Sequence, residues 1–305
     1  MSTPARHGIR AVVVTWNPDL GRLSAVLDAL APQVDGVIIV DNGSMNYEAL
    51  ATRWSGHEHI EVVGLPDNRG IAGALNVGVA RALLEQPRWI MTMDQDTLVA
   101  DGAVAGALRE LSTLDETRRA SCALVALRPH PQPASIWLTR YADRLLVLGE
   151  LGPFLERRGV ITSGNLVRAD VARRVRFNEQ LFIDQVDFDF CYSLRRLGLR
   201  VVQQQTITMD HILGERYDDL ERVHPYENAQ RLYYIARNST YLVLRRRLLV
   251  RFYLAQIVVF CGAYVSVNGA TSAAQCARVV ARGVGDAVTR RMGRREYPFL
   301  ARGRR

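Results

Sequence analysis

Two carboxylates stand two residues apart at the end of an apolar run. Asp94 and Asp96 follow the run Trp89–Met93. Residues i and i+2 of an extended strand point to the same side, so both carboxylates face one way. Such a pair is costly unless a positive charge lies between the two, and a divalent cation (Mg²⁺ or Mn²⁺) is the usual partner. The structural alternative is an aspartate that turns the chain and caps the next helix.

A second acidic group lies farther along the chain, at Asp184, Asp187 and Asp189. From Asp187 onward the sequence has a helical pattern that continues through Leu194 and Leu197. Carboxylates in the first turn of a helix are favoured by the helix dipole, which is a sufficient structural reason for Asp187 and Asp189. A carboxylate positioned beside a substrate can instead act as a general base.

These acidic strings follow a repeated unit in the first half of the chain, in which an apolar run, a polar turn and an Ala- and Leu-rich helical stretch succeed one another. Continuous apolar strands that alternate with helices predict an α/β fold whose parallel sheet is covered on both faces. The predicted strands are Ile9–Thr15, Val37–Asp41, Ile60–Val63, Trp89–Met93 and Cys122–Leu127, and the predicted helices are Leu20–Leu30, Tyr47–Trp54 and Ile71–Leu84.

Polar residues gather at the predicted carboxyl ends of the strands, where the ligands of such sheets bind. Asn68 and Arg69 stand where a helix begins, and backbone N–H groups together with an arginine suit an anion there. No Gly-x-Gly-x-x-Gly follows the first strand, which disfavours a dinucleotide-binding fold. Gly70, Gly73 and Gly78 are better explained as small residues that let their helix lie close to the sheet. The remaining candidates are Thr15, Asn17, Asp41, Asp94 and Gln95.

The composition excludes several kinds of chemistry. The chain has 305 residues, and all 39 of its Lys and Arg residues are arginine. Without lysine there is no P-loop and no Schiff-base catalysis. The string at Asp94 also matches the motif of haloacid-dehalogenase-type phosphatases, but these generally need a lysine and carry the motif after their first strand, not their fourth. The cysteine spacing and the polar N-terminus predict a cytosolic protein with free thiols.

Eight strings recur in order through most of residues 9–246. They are VVVTWNPDLGRL, QVDGVIIVDNGS, DNRGIAGALNVGV, WIMTMDQDT, VITSGNLV, LFIDQVDFDFCYSLRRLG, MDHILGE and YYIARNSTYL. In these strings the chain resembles the family 2 glycosyltransferases, in particular the bacterial rhamnosyltransferases of polysaccharide assembly. The resemblance implies a GT-A fold, which is α/β with a Rossmann-like, mostly parallel sheet and helices on both faces. The change of pattern after residue 244 predicts a C-terminal helical extension.

The resemblance implies a nucleotide-sugar site at the strand ends. Thr15, Asn17 and Asp41 are expected to line the base and ribose, and Asn68 and Arg69 to reach the ribose or the diphosphate. These residues come from different turns of the chain, so the expectation depends on the sheet that brings the turns together.

The resemblance also implies a divalent cation. Asp96 is expected to ligate it directly with His211 as a second protein ligand, while Asp94 contacts the ribose or the water shell of the metal and Gln95 lies beside the donor. A metal neutralises the charge that grows on a leaving diphosphate without a proton transfer.

The acceptor side and the base are assigned in the same way. Asp187 aligns with the general base, and since Val186 stands where the family usually has another acid, either Asp184 substitutes for that acid or nothing does. Arg237 and its neighbour Asn238 either reach the donor phosphates or cap the domain. The turn expected to border the acceptor consists of Ser163, Gly164 and Asn165.

The C-terminal segment differs from the rest of the chain in charge. Residues 245–305 hold 13 arginines against two acids, a net charge of +11, whereas residues 1–244 hold 26 arginines against 29 acids, a net of −3. The apolar stretch Phe252–Val267 spans about 24 Å as a helix, short of the ~30 Å hydrocarbon core. Arginines around apolar helices suit an anionic membrane surface, and the alternatives are packing on the catalytic domain or a homodimer contact.

The predicted division is a catalytic domain at residues 1–244 and a basic helical extension at 245–305. The catalytic domain divides at about residue 128 into a nucleotide-sugar half and an acceptor half. One base, one metal and no enzyme nucleophile suit a single displacement with inversion. No nucleic-acid partner is expected, because the arginines are not interleaved with aromatic residues.

The resemblance therefore implies an inverting, metal-dependent transferase that moves L-rhamnose from dTDP-rhamnose to a lipid-linked saccharide, in the synthesis of a cell-surface polysaccharide such as O-antigen. It is expected to be peripheral on the inner face of the cell membrane. The alternatives are a UDP- or GDP-linked donor, a protein that binds a nucleotide sugar without turnover, and an adaptor that acts through its arginine tail.

Overall fold

The computed structural model describes residues 8–129, 137–211 and 229–297, which form one ten-stranded sheet with flanking helices. The strands are β1 (Ile9–Thr15), β2 (Gly36–Asp41), β3 (Ile60–Gly64), β4 (Trp89–Asp94), β5 (Thr97–Val99), β6 (Cys122–Pro129), β7 (Val147–Leu151), β8 (Phe154–Arg157), β9 (Asn165–Arg168) and β10 (Arg200–His211). The helices are α1 (Leu20–Leu30), α2 (Tyr47–Trp54), α3 (Gly70–Leu83), α4 (Ala103–Ser112), α5 (Glu116–Ser121), α6 (Trp137–Leu146), α7 (Ala169–Ala172), α8 (Val186–Arg196), α9 (Ala229–Leu244), α10 (Val250–Asn268) and α11 (Ala273–Val288).

The first four strands are parallel and lie in the order β3-β2-β1-β4. The chain moves outward from β1 to β3 and then returns to the other side of β1 with β4, so the direction of winding reverses between β1 and β4. Ligands of open α/β sheets bind at such a switch point, outside the carboxyl ends of the strands. The end of β1 at Val14 lies opposite Asp94, which brings the acidic pair to this point.

Alternating residues of the central strand pack on opposite faces of the sheet, as the apolar pattern predicts. Ile9, Ala11 and Val13 join the core formed with α1, α2 and α4, whereas Val12 and Val14 join the core formed with α3 and α8. The helix α3 lies very close to the sheet.

The close approach of α3 depends on a glycine. A Cβ on Gly78 would lie 2.2 Å from Cγ1 of Val12 and 2.9 Å from Cγ2 of Val40. The small-residue explanation of the α3 glycines is therefore confirmed at this position.

Beyond β4 the strand directions differ from the predicted parallel series. β9 lies between β4 and β6 and is antiparallel to both, β10 is parallel to β6, and β8 and β7 follow as an antiparallel edge. The sheet is therefore parallel in its first half and mixed in its second. The fifth predicted strand exists as β6 but has β9, not β4, as its neighbour, since backbone pairing with a distant segment leaves no local signal in the sequence.

The C-terminal helices pack on the catalytic part of the chain. α9 packs along α11, where Gly283 lies against the backbone of Tyr233 and Arg237. Asp286 of α11 is buried and accepts hydrogen bonds from the hydroxyls of Tyr233 (2.7 Å) and Tyr297 (2.5 Å). The contact between α9 and α11 crosses the predicted boundary at residues 244–245.

One side of α10 is covered and the other is open. Phe252, Ala255 and Tyr264 are buried, whereas Leu254 is 55% exposed and Val258 60%. By length and composition the helix could cross a membrane, with a mean hydropathy of 1.6, and 17% of it is buried. The helix of 19 residues is about 28 Å long, longer than the predicted apolar stretch.

Candidate active site

The acidic pair lies in the tight turn between β4 and β5. The backbone N–H of Asp94 donates to Oγ of Ser163 at 3.0 Å, and that hydroxyl donates to Oγ1 of Thr97 at 2.9 Å. Arg22 of α1 donates to the backbone carbonyl of Asp96 at 2.5 Å. The turn is thus held from two sides through its backbone, which leaves both carboxylates available for a ligand.

The predicted acceptor-side turn lies directly behind this acidic turn. Ser163 and Asn165 are buried, and the amide of Asn165 donates to the carbonyl of Ile161 at 2.6 Å. Gly164 has a φ of +75°, and a Cβ there would lie 2.2 Å from Sδ of Met209. In this structure these three residues position the acidic turn, and none of them presents an exposed side chain.

A strained segment presents the second acidic group. Phe182, Asp184 and Gln185 have φ values of 65°, 61° and 64°. These are positive backbone angles that residues other than glycine rarely adopt. The Asn238 amide of α9 donates to the backbone carbonyls of Leu181, Ile183 and Asp184 at 2.9, 2.7 and 2.9 Å. Strain of this kind persists only where surrounding contacts hold it, and it concentrates at functional sites.

The two acidic groups meet at the carboxyl end of β4. Burial, together with the negative charges of Asp96 and Asp187, raises the pKa of Asp94 to about 7. Burial likewise raises the pKa of Asp187 to about 7, with a contribution from Asp184, while its hydrogen bond from the Phe188 N–H (2.9 Å) acts the other way. Four carboxylates thus share one partly desolvated site, and two of them are poised near neutral pH.

A cation from α9 stands within this acidic group. Nε of Arg231 lies 3.3 Å from Oδ1 of Asp184, and the arginine charge lowers the pKa of Asp94, Asp184 and Asp187, although burial keeps each of them raised. The sequence motifs do not include Arg231. The available signal was helical spacing, because Arg231 lies seven residues before Asn238 and residues i and i+7 share a helix face.

The acidic site has features that fit a divalent cation. Among the described residues, Oδ1 of Asp96 and Oδ2 of Asp184 have no hydrogen-bond partner although they are buried. Within the described ranges, no three side chains of His, Cys, Asp or Glu are grouped closely enough to hold a metal by themselves. Mg²⁺ is commonly held by one or two carboxylates together with substrate phosphates, so Asp94 and Asp96 suffice as the protein contribution.

His211, the predicted second metal ligand, ends β10 with its backbone paired opposite Thr97. Its side chain lies outside the described residues, as do the neighbouring residues of its motif. Thr97 directly follows the acidic pair, so the backbone register brings the end of β10 to the same turn.

The predicted nucleotide side is a polar network across the ends of β1, β2 and β4. The buried carboxylate of Asp41 accepts hydrogen bonds from the hydroxyl of Thr15 (3.1 Å) and from the N–H and hydroxyl of Ser44 (2.8 and 2.5 Å). Asn17 accepts from the N–H of Met45 at 2.8 Å, and Gln95 accepts from the N–H of Trp16 at 2.8 Å. The structure therefore brings Thr15, Asn17, Asp41 and Gln95 together beside Asp94.

The predicted anion site at the start of α3 is also assembled. Oδ1 of Asn68 accepts from the Gly70 N–H at 2.9 Å and from the amide of Asn42 at 3.1 Å. Arg69 keeps 44% of its side chain exposed and lies 3.6 Å from Glu179, so its guanidinium remains accessible to a ligand.

Arg237 has a different environment from the other candidates. It is fully buried, with Nη1 donating to the carbonyl of Gly293 (2.6 Å), Nη2 to that of Leu181 (3.0 Å) and Nε to Asn238 (2.9 Å). It also lies over the ring of Tyr234, 4.7 Å from its centroid. Arg237 was predicted either to reach the donor phosphates or to cap the domain. These contacts favour the second, structural role, because every guanidinium nitrogen already has an acceptor inside the protein.

Comparison with known proteins shows a protein family that matches this part of the chain. The family described as "Glycosyl transferase family 2" matches residues 11–133. Residues 11–133 match a family 2 glycosyltransferase domain. The matched range extends from β1 to beyond β6 and includes Thr15, Asp41 and the acidic pair.

A curated relative covers more of the chain. The dTDP-rhamnosyl transferase RfbF of Shigella flexneri is 29% identical over 245 residues, which are 78% of this chain and 80% of that protein. Together with the family match, this similarity supports a glycosyltransferase of the rhamnosyltransferase branch.

Two solved structures share the fold. GalNAc-T7, crystallised with UDP, GalNAc and Mn²⁺, matches 80% of this chain and 51% of its own with a TM-score of 0.56 and 11% identity. TarS of S. aureus matches 92% of this chain and 54% of its own with a TM-score of 0.50 and 14% identity. The chain thus spans about half the length of each. The predicted GT-A fold with its C-terminal helical region is confirmed.

Proposed function

We propose that the protein transfers L-rhamnose from dTDP-rhamnose to a saccharide acceptor with inversion at the anomeric carbon, and that a divalent cation assists. The observation that carries the proposal is the position of Asp187, which lies close enough to Asp94 for its charge to raise the pKa of that residue at the carboxyl end of β4. A potential proton acceptor and the metal-binding pair of a family 2 domain thereby occupy one site.

The chemistry is a single displacement. The acceptor hydroxyl oxygen bonds to the anomeric carbon, its proton passes to a carboxylate oxygen of Asp187, and the bond from that carbon to the diphosphate breaks, so that dTDP leaves with the electron pair. A positioned carboxylate of this kind contributes about 10²- to 10⁴-fold in rate. A pKa of about 7 suits the task, since about half of the base is ionised at pH 7 and the carboxylate is basic enough to take the proton.

Asp96 and Asp94 would hold the cation, with His211 as a further ligand, and the bound ion would neutralise charge on the departing diphosphate. Arg231 and Arg69 supply fixed positive charge on two sides of the same space. Thr15, Asn17, Asp41 and Gln95 would orient the base and ribose through their shared network, and Asn68 would reach the ribose or diphosphate from the start of α3.

The choice of donor rests on the similarity to a dTDP-rhamnosyl transferase over most of both chains. A lipid-linked acceptor and a peripheral position on the inner face of the membrane are supported by the exposed apolar face of α10 and the surrounding arginines. A transferase for another nucleotide sugar is the second candidate, because the TM-scores to the solved structures support the GT-A fold and leave the donor open.

The test is a donor panel with the purified protein. dTDP-rhamnose with Mg²⁺ or Mn²⁺ should raise the unfolding temperature and release dTDP in the presence of acceptor, whereas UDP- and GDP-sugars should do neither. Release of the nucleoside diphosphate that persists in Asp187→Asn would contradict the assignment of the base. Binding of dTDP-rhamnose without turnover for any acceptor would instead identify a binding protein.

A further inference from the structure

A cleft beside the proposed base concentrates positive charge on an apolar floor. It has a volume of about 100 Å³ and lies between α8, the residue that follows β8 and the beginning of α10. Its arginines are Arg158, Arg195, Arg246 and Arg247, and its floor includes the rings of Phe188 and Phe252. The function proposed above assigns no role to any of these residues.

Much of this positive charge is not neutralised by the protein. Arg247 pairs with Asp189 at 2.6 Å, but within the described residues Arg158, Arg195 and Arg246 have no carboxylate in ion-pair contact. Among the described residues, buried Nε of Arg158 has no acceptor, and the one acceptor of Arg195 is the backbone carbonyl of Arg158, at 3.1 Å.

The carboxylate whose charge acts on Arg195 does not neutralise it. This carboxylate, Glu156, is itself in an ion pair with Arg200. Burial and the charge of Arg158 together lower the pKa of Arg195. Two like charges held together in a partly desolvated cleft are costly unless an anion joins them.

The apolar part of the cleft continues out onto a helix face. The rings of Phe188 and Phe252 lie 5.1 Å apart, and Phe252 and Leu146 belong to one buried cluster. From there the exposed side of α10 continues the apolar surface through Val250 (55% exposed), Leu254 (55%) and Val258 (60%). A ligand that fits both parts has an anionic group joined to an apolar chain.

The cleft also lies next to the reacting centre. Phe188, on the floor of the cleft, directly follows Asp187 in the first turn of α8, so one end of the cleft borders the turn that carries the proposed base. Arg195 lies about 12 Å farther along the helix, and a saccharide attached to an anion held there would extend toward the base.

We propose that this cleft binds the diphosphate of an acceptor whose saccharide is carried on a long apolar chain, and that the chain lies along the exposed face of α10. Guanidinium groups match phosphate oxygens through paired N–H donors, which suits a diphosphate better than a carboxylate. The inference rests on the proposed function, because it assigns the acceptor of that same reaction.

The test is a binding titration that does not depend on turnover. Farnesyl diphosphate is titrated calorimetrically into the full chain without divalent cation, so that the metal-dependent donor site does not contribute. Wild-type protein should bind it at least tenfold more tightly than farnesol or inorganic diphosphate. Arg158→Gln and Arg195→Gln should each weaken binding about tenfold.

The matched control is Arg196→Gln, which removes the same charge from an exposed position of α8 outside the cleft and should bind like wild type. Thermal unfolding of every variant establishes that it is folded, and two cleft variants keep the test valid if one is unstable. Equal binding by the cleft variants and by Arg196→Gln would overturn the inference.

Vesicles of phosphatidylglycerol distinguish a bulk lipid surface from a single diphosphate. If vesicle binding depends on Arg158 and Arg195 while farnesyl diphosphate does not bind, the cleft recognises a membrane surface and the inference is wrong. Donor turnover is measured separately. Absence of donor turnover in a protein that binds farnesyl diphosphate contradicts the proposed function. Normal donor turnover in a protein that does not bind farnesyl diphosphate contradicts only the assignment of the cleft.

Discussion

The guanidinium of Arg231 lies 3.3 Å from the carboxylate of Asp184, and its charge opposes the raised pKa of three aspartates at once. The helix α9 thus contacts the acidic site from outside the matched residues 11–133. Arg231 contributes the positive charge, and Asn238 on the same helix holds the strained backbone that carries Asp184.

Arg231→Gln should move the pH dependence of turnover. The base must be ionised, so kcat/KM falls as pH drops through the pKa of Asp187, which is about 7 in the folded protein. Arg231 lowers that pKa, and its removal raises it, so the acidic limb of the variant should shift to higher pH and the loss of rate should be larger at pH 6 than at pH 8. Arg251→Gln, at an exposed position of α10, is the charge-matched control. An acidic limb at the same pH as in the wild type would show that the charge of Arg231 does not affect the pKa of Asp187.

Asp187 and Asp189 are two residues apart in the first turn of α8 and should respond oppositely to neutralisation. Asp187→Asn should lower kcat about 10²- to 10⁴-fold, with donor affinity within a few fold of wild type. It should leave the unfolding temperature at pH 8 unchanged or higher, because burial and the Asp184 charge penalise ionised Asp187.

Asp189→Asn should instead destabilise the protein. Burial raises the pKa of Asp189 as well, but this carboxylate has an ion-pair partner in Arg247 at 2.6 Å, and we expect the loss of that pair to exceed the gain from removing a buried charge. The measurements are steady-state kinetics and thermal unfolding on the same preparations. A large rate loss in Asp189→Asn without loss of stability would exchange the roles of the two residues.

The sequence was most informative where neighbouring elements follow one another along the chain. The four strands β1 to β4 and the helices α1 to α3 lie where the apolar runs predict them, and each end differs from the prediction by no more than one residue. Runs such as Val37–Asp41 are buried on both faces, so their apolar pattern is continuous and the polar turn after each strand is easily recognised.

Long-range relationships could not be predicted in this way. The antiparallel insertion of β9 between β4 and β6 depends on backbone pairing that no local pattern encodes. Arg231 was missed because its proximity to Asp184 depends on how α9 packs. Arg237 had two possible roles until its burial showed where its guanidinium bonds. The catalytic and metal-binding roles of the assembled residues stay predictions.

Chelation should abolish turnover, and the Asp96 carboxylate should be required for its recovery. Within the part of the chain that the structure describes, buried Oδ1 of Asp96 has no hydrogen-bond partner, which is costly unless a cation occupies the site. EDTA should lower the rate at least 100-fold, with recovery on addition of Mg²⁺ or Mn²⁺, and Asp96→Asn should require a higher metal concentration. Asp101→Asn, exposed after the same turn, should recover like wild type. Full turnover in EDTA would rule out metal assistance.

Arg237→Met should reduce stability without a specific effect on the donor. The change removes the donor to the carbonyl of Gly293 and the donor to Oδ1 of Asn238, and a buried acceptor left without a partner costs about 1–3 kcal/mol. The unfolding temperature should fall by roughly 5–10 °C. Arg174→Met, at an exposed position, should change it little. A variant of normal stability whose donor affinity falls tenfold or more would instead place Arg237 at the diphosphate.

The exposed face of α10 should determine whether the protein associates with membranes. Leu254 and Val258 are one turn apart and more than half exposed, and exposed apolar residues bordered by arginine suit an anionic surface. Leu254→Glu combined with Val258→Glu should reduce flotation with phosphatidylglycerol vesicles at least tenfold while leaving the unfolding temperature within about 2 °C, since neither residue belongs to a buried cluster.

Raising the salt concentration should weaken binding of the wild type, because the arginine contribution is screened. Glu116→Gln and Glu150→Gln, exposed in other parts of the chain, are controls that should float like wild type. Unchanged flotation of the α10 variant would show that another surface meets the membrane, and absence of flotation by the wild type would leave α10 as a contact between protein chains.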